Sequence, residues 1–201
     1  MTLTKYFFSL MRLFMICAAG AFLGLMGCPN NSPDNQIGTQ RPVVVVTTTH
    51  LADLMDSLAG DLFEVIPLMG TGVDPHLYRP TSRDFNSIAK ADLVVFHGLT
   101  LEGRIGDALS QAEAKGIPSF AATSRIPKEL ILSSNTEGGA DSLDDPHVWF
   151  SPRIWSICAS SLTERLIQLD PDSESILRAN LSQLKTDIEM INQWSLSIVK
   201  E

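Results

Sequence analysis

The chain has 201 residues, a formal net charge of −8 and a hydrophobic content of 44%. That content is sufficient for a packed core and excludes disorder along the whole length, and the length predicts one domain or two small ones. An acidic chain lacks the surplus of clustered basic residues that phosphate backbones require, so we expect no nucleic-acid partner. Three cysteines are too few for a disulfide framework, so stability must come from burial.

Residues 1–27 have the pattern of a secretory signal peptide. Lys5 and Arg12 are the only charged residues of this segment, and fifteen uncharged residues follow from 13 to 27. This apolar stretch is short for a membrane span, which favours a signal peptide over the alternative of an uncleaved anchor helix. The segment ends in Leu-Met-Gly before Cys28 and resembles a bacterial lipobox, in which the cysteine is lipidated. A plain secretory signal with an incidental thiol is the alternative.

The segment that follows, residues 28–41, is rich in Pro, Asn and Gln and has the composition of a flexible tether. A lipid on Cys28 and a tether together predict an exported protein that is held at a lipid bilayer.

Between residues 42 and 171, short strands alternate with helices. The predicted strands are 43–46, 63–68, 92–96 and 117–121, and the predicted helices are 49–58, 81–91, 101–116 and 151–169. The first strand is a run of four valines, apolar on both faces, as in a buried parallel strand. The alternation predicts an α/β fold in which helices cover both faces of a parallel sheet.

Residues 172–201 form one long helix in this prediction. The segment contains no proline or glycine, and apolar residues recur every three or four positions from Leu177 to Ile198. A helix of nearly thirty residues would be roughly 45 Å long, and no stop signal precedes Glu201. We therefore expect an α/β domain over 42–171, followed by a long helix over 172–201 that stops partway through an architecture.

The tripeptide Asp-Pro-His occurs twice, at 74–76 and 145–147. Proline stiffens each loop, and neutral imidazole is the commonest protein ligand for transition metals. Because His76 and His147 are far apart in the sequence, only the fold could bring them to one ion. Both lie in loops between elements, where open parallel sheets place their ligands. We predict a shared site for a divalent metal, with a structural or surface role for either histidine as the alternative.

Three further polar residues follow predicted strands. We expect His50 to cap a helix or to line the lip of a cleft rather than to bind metal. His97 and Glu102 could contact and orient the metal ligands or line the lip of the cleft. Plain solvent exposure is the alternative for both.

Other candidate groups have simpler interpretations. Trp155 and Trp194 lie in predicted helices, where we expect them to pack, and Cys158 is expected to be a buried hydrophobic residue. No arrangement of Ser, His and Asp or of Cys and His supports a catalytic assignment.

Three segments carry a resemblance to a known family. GVDPHLY (72–78), ADLVVFHGLTLE (91–102) and DPHVWFSPRIW (145–155) resemble, in the same order, the metal-binding lipoproteins of ATP-driven zinc, manganese and iron importers, the cluster A-I solute-binding proteins. The resemblance covers about residues 42–201. It implies two α/β lobes joined by a long rigid helix, with His76 and His147 as the metal ligands of the first lobe. Residues 42–171 would then be the N-terminal lobe and 172–201 the incomplete linking helix, with the second lobe absent.

The resemblance also implies a function. It implies a monomeric bacterial receptor, anchored through Cys28 at the extracytoplasmic membrane surface or in the periplasm. This receptor would deliver zinc or manganese, or alternatively iron, to an ABC permease. Residues 123–146 lack the histidine-rich loop of many zinc-specific members. The remaining ligands would come from a second lobe, so a chain that ended at 201 would bind metal weakly. The alternatives are a metal-dependent hydrolase and a structural or adhesive surface lipoprotein.

Overall fold

A computed structural model describes residues 41–134 and 143–199. The predicted signal peptide and nearly all of the predicted tether, including Cys28, lie outside the described residues. Four parallel strands form the sheet in the order β2-β1-β3-β4. These strands are β1 (Val43–Val46), β2 (Glu64–Pro67), β3 (Leu93–Phe96) and β4 (Ser119–Ala121). The architecture confirms the predicted α/β class.

Five α-helices are described, and together they cover both faces of this sheet. They are α1 (Thr49–Ala59), α2 (Ser82–Ile88), α3 (Gly106–Ala114), α4 (Pro152–Leu169) and α5 (Glu174–Val199). A two-stranded antiparallel ribbon, β5 (Ser133–Ser134) and β6 (Leu143–Asp144), precedes the second Asp-Pro-His motif. Two predicted helix starts are confirmed, since Thr81 forms a capping box and the Ser151 hydroxyl accepts the Ile154 N–H at 3.4 Å.

The alternation of side chains along β1 explains why the sheet is covered on both faces. Val44 and Val46 are fully buried and point to the side where α1, α4 and α5 pack. Val45 points to the opposite side, together with Val94 of β3, and packs against α2 and α3. The central strand is therefore apolar on both faces because both faces lie in a core.

The segment after β3 differs from the prediction. The apolar positions Leu101 and Ile105 are buried as expected, but the helix begins only at Gly106. Leu99 and Thr100 have positive φ angles of 51° and 61°, which interrupt any helical path from β3. The periodicity identified the buried side chains correctly, but the backbone at Leu101 and Ile105 forms a series of turns rather than a helix.

Helix α5 is attached to the lobe through its first turns. Leu177 is fully buried, Leu181 and Leu184 pack beside it, and the Asn180 side-chain amide donates to the Leu58 carbonyl at 2.9 Å. Further along, the helix becomes exposed.

The exposed part of α5 includes Trp194, whose exposed fraction is 65%. The expectation that Trp194 packs was therefore wrong for the described residues, whereas Trp155 does pack against the core. Among the residues that the structure describes, no helix combines the length and hydropathy needed to cross a bilayer.

The strand order positions the functional loops. From β1 the chain goes first to β2 on one side and then to β3 on the other, so neighbouring connections diverge at the carboxyl ends of β1 and β3. Open parallel sheets bind ligands at such a point. Thr47 and Thr48 follow β1 there, and His97 follows β3.

Candidate metal centre

The two histidines of the repeated tripeptide meet in the structure. The Nε2 atoms of His76 and His147 are 3.3 Å apart, and the ring centroids are separated by 5.3 Å. Both residues are exposed, so an ion could reach them from solvent. The structure thus brings together two imidazoles from loops 71 positions apart, as the repeated tripeptide predicts.

The two Asp-Pro-His loops are built in the same way at the backbone. The Asp74 Oδ1 accepts the His76 backbone N–H at 2.9 Å, and the Asp145 Oδ1 accepts the His147 N–H at 3.0 Å. Such Asx turns, with proline between the two residues, fix the point from which each ring projects. Both aspartates therefore act as turn residues at the backbone.

The second loop contains a contact that the first lacks. The Nδ1 of His147 is 2.6 Å from the Asp145 Oδ1, the same oxygen that accepts the backbone N–H. These hydrogen bonds, from the backbone first and then from the ring, hold the pKa of Asp145 below its usual range. The tripeptides are identical, so the sequence could not show that only one aspartate would contact a ring.

Trp149 packs against one histidine of the pair, His147, a role that the sequence did not indicate. Its ring lies 5.3 Å from that of His147 in a T-shaped arrangement and stacks on His50 at a centroid distance of 4.4 Å. His97 packs against it at 5.1 Å. His50 thus contacts the tryptophan at the edge of the site, consistent with its expected position at a cleft lip. The pKa of this exposed histidine is lowered, because desolvation by its neighbours disfavours the cation more than nearby Asp53 favours it.

His97 and Glu102 are buried, which removes solvent exposure as an interpretation of either. The Glu102 Oε1 accepts the Thr47 hydroxyl at 2.6 Å and the His97 backbone N–H at 2.7 Å, so the carboxylate joins the ends of β1 and β3. The His97 Nε2 is 2.9 Å from the Thr48 hydroxyl, which also caps α1.

The second ring nitrogen of His97, Nδ1, is buried without a hydrogen-bond partner among the described residues. Burial, with smaller contributions from His50 and His147, lowers the pKa of His97 to about 3. The ring is therefore neutral at physiological pH and packs between Trp149 and Trp155.

Within residues 41–134 and 143–199, no group of three or more His, Cys, Asp or Glu side chains is arranged to hold a metal. Cys158 is buried as expected, and burial raises the pKa of its thiol to about 12. The candidate centre in this part of the chain is therefore the pair His76 and His147, with Asp145 behind one ring.

Comparisons with known proteins identify the class. Residues 44–201 match the profile of the ZnuA family, described as zinc-uptake complex component A, periplasmic. The manganese-binding lipoprotein MntA of Bacillus subtilis is 32% identical over 176 residues, covering 87% of this chain and 55% of MntA. The zinc-binding protein TroA of Treponema pallidum is 34% identical over 131 residues, covering 65% of this chain and 41% of TroA.

The solved structures agree. The periplasmic zinc-binding protein TroA from Treponema pallidum superposes with a TM-score of 0.71 and 29% identity, covering 77% of this chain and 53% of TroA. A crystal structure of ZnuA gives a TM-score of 0.67 and 26% identity over 76% of this chain and 56% of ZnuA.

The chain belongs to the ZnuA family of metal-binding, solute-binding proteins of ABC importers. These proteins are receptors rather than enzymes, so the hydrolase alternative is not supported. The chain spans about half the length of the curated relatives that it matches.

Proposed function

We propose that this protein captures a divalent transition metal outside the cytoplasm and delivers it to an ABC import permease, with His76 and His147 as two of the ligands. Zinc and manganese are the leading candidates, because the relatives described above are named for one or the other, and iron is a further candidate. In this proposal a lipid on Cys28 and the tether that follows hold a monomeric receptor at the membrane surface.

The observation that carries the proposal is the separation of the two Nε2 atoms. Nitrogens 3.3 Å apart, each about 2.05 Å from one zinc ion, would subtend about 107° at the ion, close to the tetrahedral angle. The rings thus have the spacing of ligands that share an ion. Imidazole is also a suitable ligand for each of the candidate metals.

Isothermal titration of the metal-free chain with Zn²⁺ and Mn²⁺ tests this function. One ion should bind per chain, and His76→Ala and His147→Ala should each weaken binding by at least tenfold. His50→Ala is a suitable control, because this exposed histidine contacts Trp149 but lies outside the proposed ligand pair.

Equal affinities for the control and the two ligand variants would remove His76 and His147 from the site. Absence of any metal binding by the unmodified chain would favour the alternative of a structural or adhesive surface lipoprotein. Growth in metal-depleted medium, with the permease present or deleted, tests the delivery step separately.

A further inference from the structure

The two metal-site histidines have similar backbones but different ring environments. In both loops an Asx turn fixes the histidine backbone, as described above. Only His147 has its Nδ1 against a carboxylate, at 2.6 Å from the Asp145 Oδ1. Among the described residues, the Nδ1 of His76 has no hydrogen-bond partner.

The contact with Asp145 determines where the His147 proton lies. An ionised carboxylate can only accept hydrogen bonds, so the proton of a neutral His147 ring must be on Nδ1. The lone pair of that ring is then on Nε2, which faces His76. In metal sites, a carboxylate in this position commonly fixes the tautomer and raises the basicity of the ligand nitrogen.

The ring nitrogen of His76 that carries the proton then follows from the 3.3 Å separation of the two Nε2 atoms. Two nitrogens that both carried lone pairs would repel at this distance, and two N–H groups would clash. Because His147 presents its lone pair, the attractive arrangement is the one in which His76 donates its Nε2–H. The two neutral rings then differ in tautomer.

We propose that the metal-free protein holds His147 and His76 in opposite tautomers, with Asp145 as the positioning residue that fixes this asymmetry. This inference builds on the proposed function. The His147 lone pair becomes available to an entering ion as soon as the hydrogen bond from His76 breaks, whereas His76 also needs a proton shift, so the ion binds His147 first. His76 becomes a ligand when its Nε2 proton leaves to water and its Nδ1 takes a proton from water, so the ring stays neutral and no net proton is released.

The tautomers can be measured without any metal. Long-range ¹H–¹⁵N correlation spectra of the histidine rings distinguish Nδ1–H from Nε2–H, and assignment uses single His→Gln variants of the chain. Spectra are recorded with chelator about two pH units above the reference imidazole pKa of about 6.5. We expect His147 as Nδ1–H and His76 as Nε2–H.

The repeated motif provides a matched pair of variants. Asp145→Ala and Asp74→Ala each remove an Asx turn, but only Asp145→Ala removes a ring contact. Asp145→Ala should convert His147 into a mixture of tautomers, whereas Asp74→Ala should leave it as Nδ1–H. Asp145→Asn keeps an acceptor oxygen and should largely restore the Nδ1–H form.

Zinc affinity is the second readout. Loss of the Asp145 contact should weaken Zn²⁺ binding by about 10- to 100-fold, more than the loss caused by Asp74→Ala. His147 as Nε2–H in the unmodified chain, or equal tautomer changes in the two alanine variants, would overturn the inference. The tautomers could be as described while neither the unmodified chain nor any variant binds metal. In that case the inference stands and the proposed function fails.

Discussion

The buried ring of His97 should make folding sensitive to mild acid. In the folded chain the pKa of this group is lowered to about 3, mainly by burial, whereas in the unfolded chain it returns to about 6.5. As the pH falls below about 6.5, the unfolded state binds a proton that the folded state cannot bind. Stability is therefore fully present above that pH and is lost progressively down to about pH 3.

The size of the effect follows from the two pKa values. Between about pH 7 and about pH 5, His97 alone should lower the free energy of unfolding by about 2 kcal/mol. Acidic groups do not obscure this window. The pKa values of Asp84, Asp145 and Glu164 are lowered from already acidic values, so their contributions are lost at lower pH.

The assay is urea unfolding, followed by far-UV circular dichroism, at several pH values with chelator present. His97→Gln should be less stable at pH 7 but should lose most of the pH dependence between about pH 7 and about pH 5. His50→Gln is the control, since that more exposed ring has a pKa lowered in the same direction and faces His97 from α1. Equal pH dependence in the His97→Gln variant and the unmodified chain would refute the reasoning.

Two matched pairs of substitutions and one exchange experiment test the fold around the site. Gly98 has a φ of 91°, and an added Cβ would lie 2.5 Å from the Thr123 Oγ1, so Gly98→Ala should cost about 2 kcal/mol or more in chemical denaturation. The matched Gly70→Ala, where nothing lies within 4 Å, should cost much less. Leu177→Ala should destabilise by about 2–5 kcal/mol, whereas Ile176→Ala, at a residue that is 49% exposed, should stay within about 0.5 kcal/mol. Amide hydrogen exchange should be slow around Leu177 and fast near Val199, and uniform protection along α5 would contradict the described attachment.

The sequence predicted the fold well where one principle determined the outcome. The four valines of β1 indicated a buried parallel strand, and the predicted helix start at Ser151 matches the N-cap of α4. It was less informative after β3. There the periodicity of Leu101 and Ile105 showed which residues are buried but could not show that the helix begins only at Gly106. The turn that precedes the helix contains a long-range feature, since the Glu102 carboxylate accepts backbone N–H groups at the end of β3.

The site was predictable in part for a similar reason. The repeated Asp-Pro-His motif indicated His76 and His147, and the parallel sheet explained why they could meet. Its two copies are identical, so the sequence could not reveal that Asp145 contacts a ring and Asp74 does not. The role of Trp149 beneath three histidines likewise depends on packing between segments that are distant in sequence.

Because α5 packs on the core only through its first turns, a small tilt there produces a larger displacement at its far end. The described packing of the helix on the core extends to Leu184, and from there to Val199 the helix runs roughly 22 Å at 1.5 Å per residue. A tilt of about 5° at the packed turns would displace Val199 by about 2 Å over that length. Small changes in the fit of Leu177 against the core would thus be amplified along α5. The core of this lobe therefore sets the direction in which the far end of the helix points.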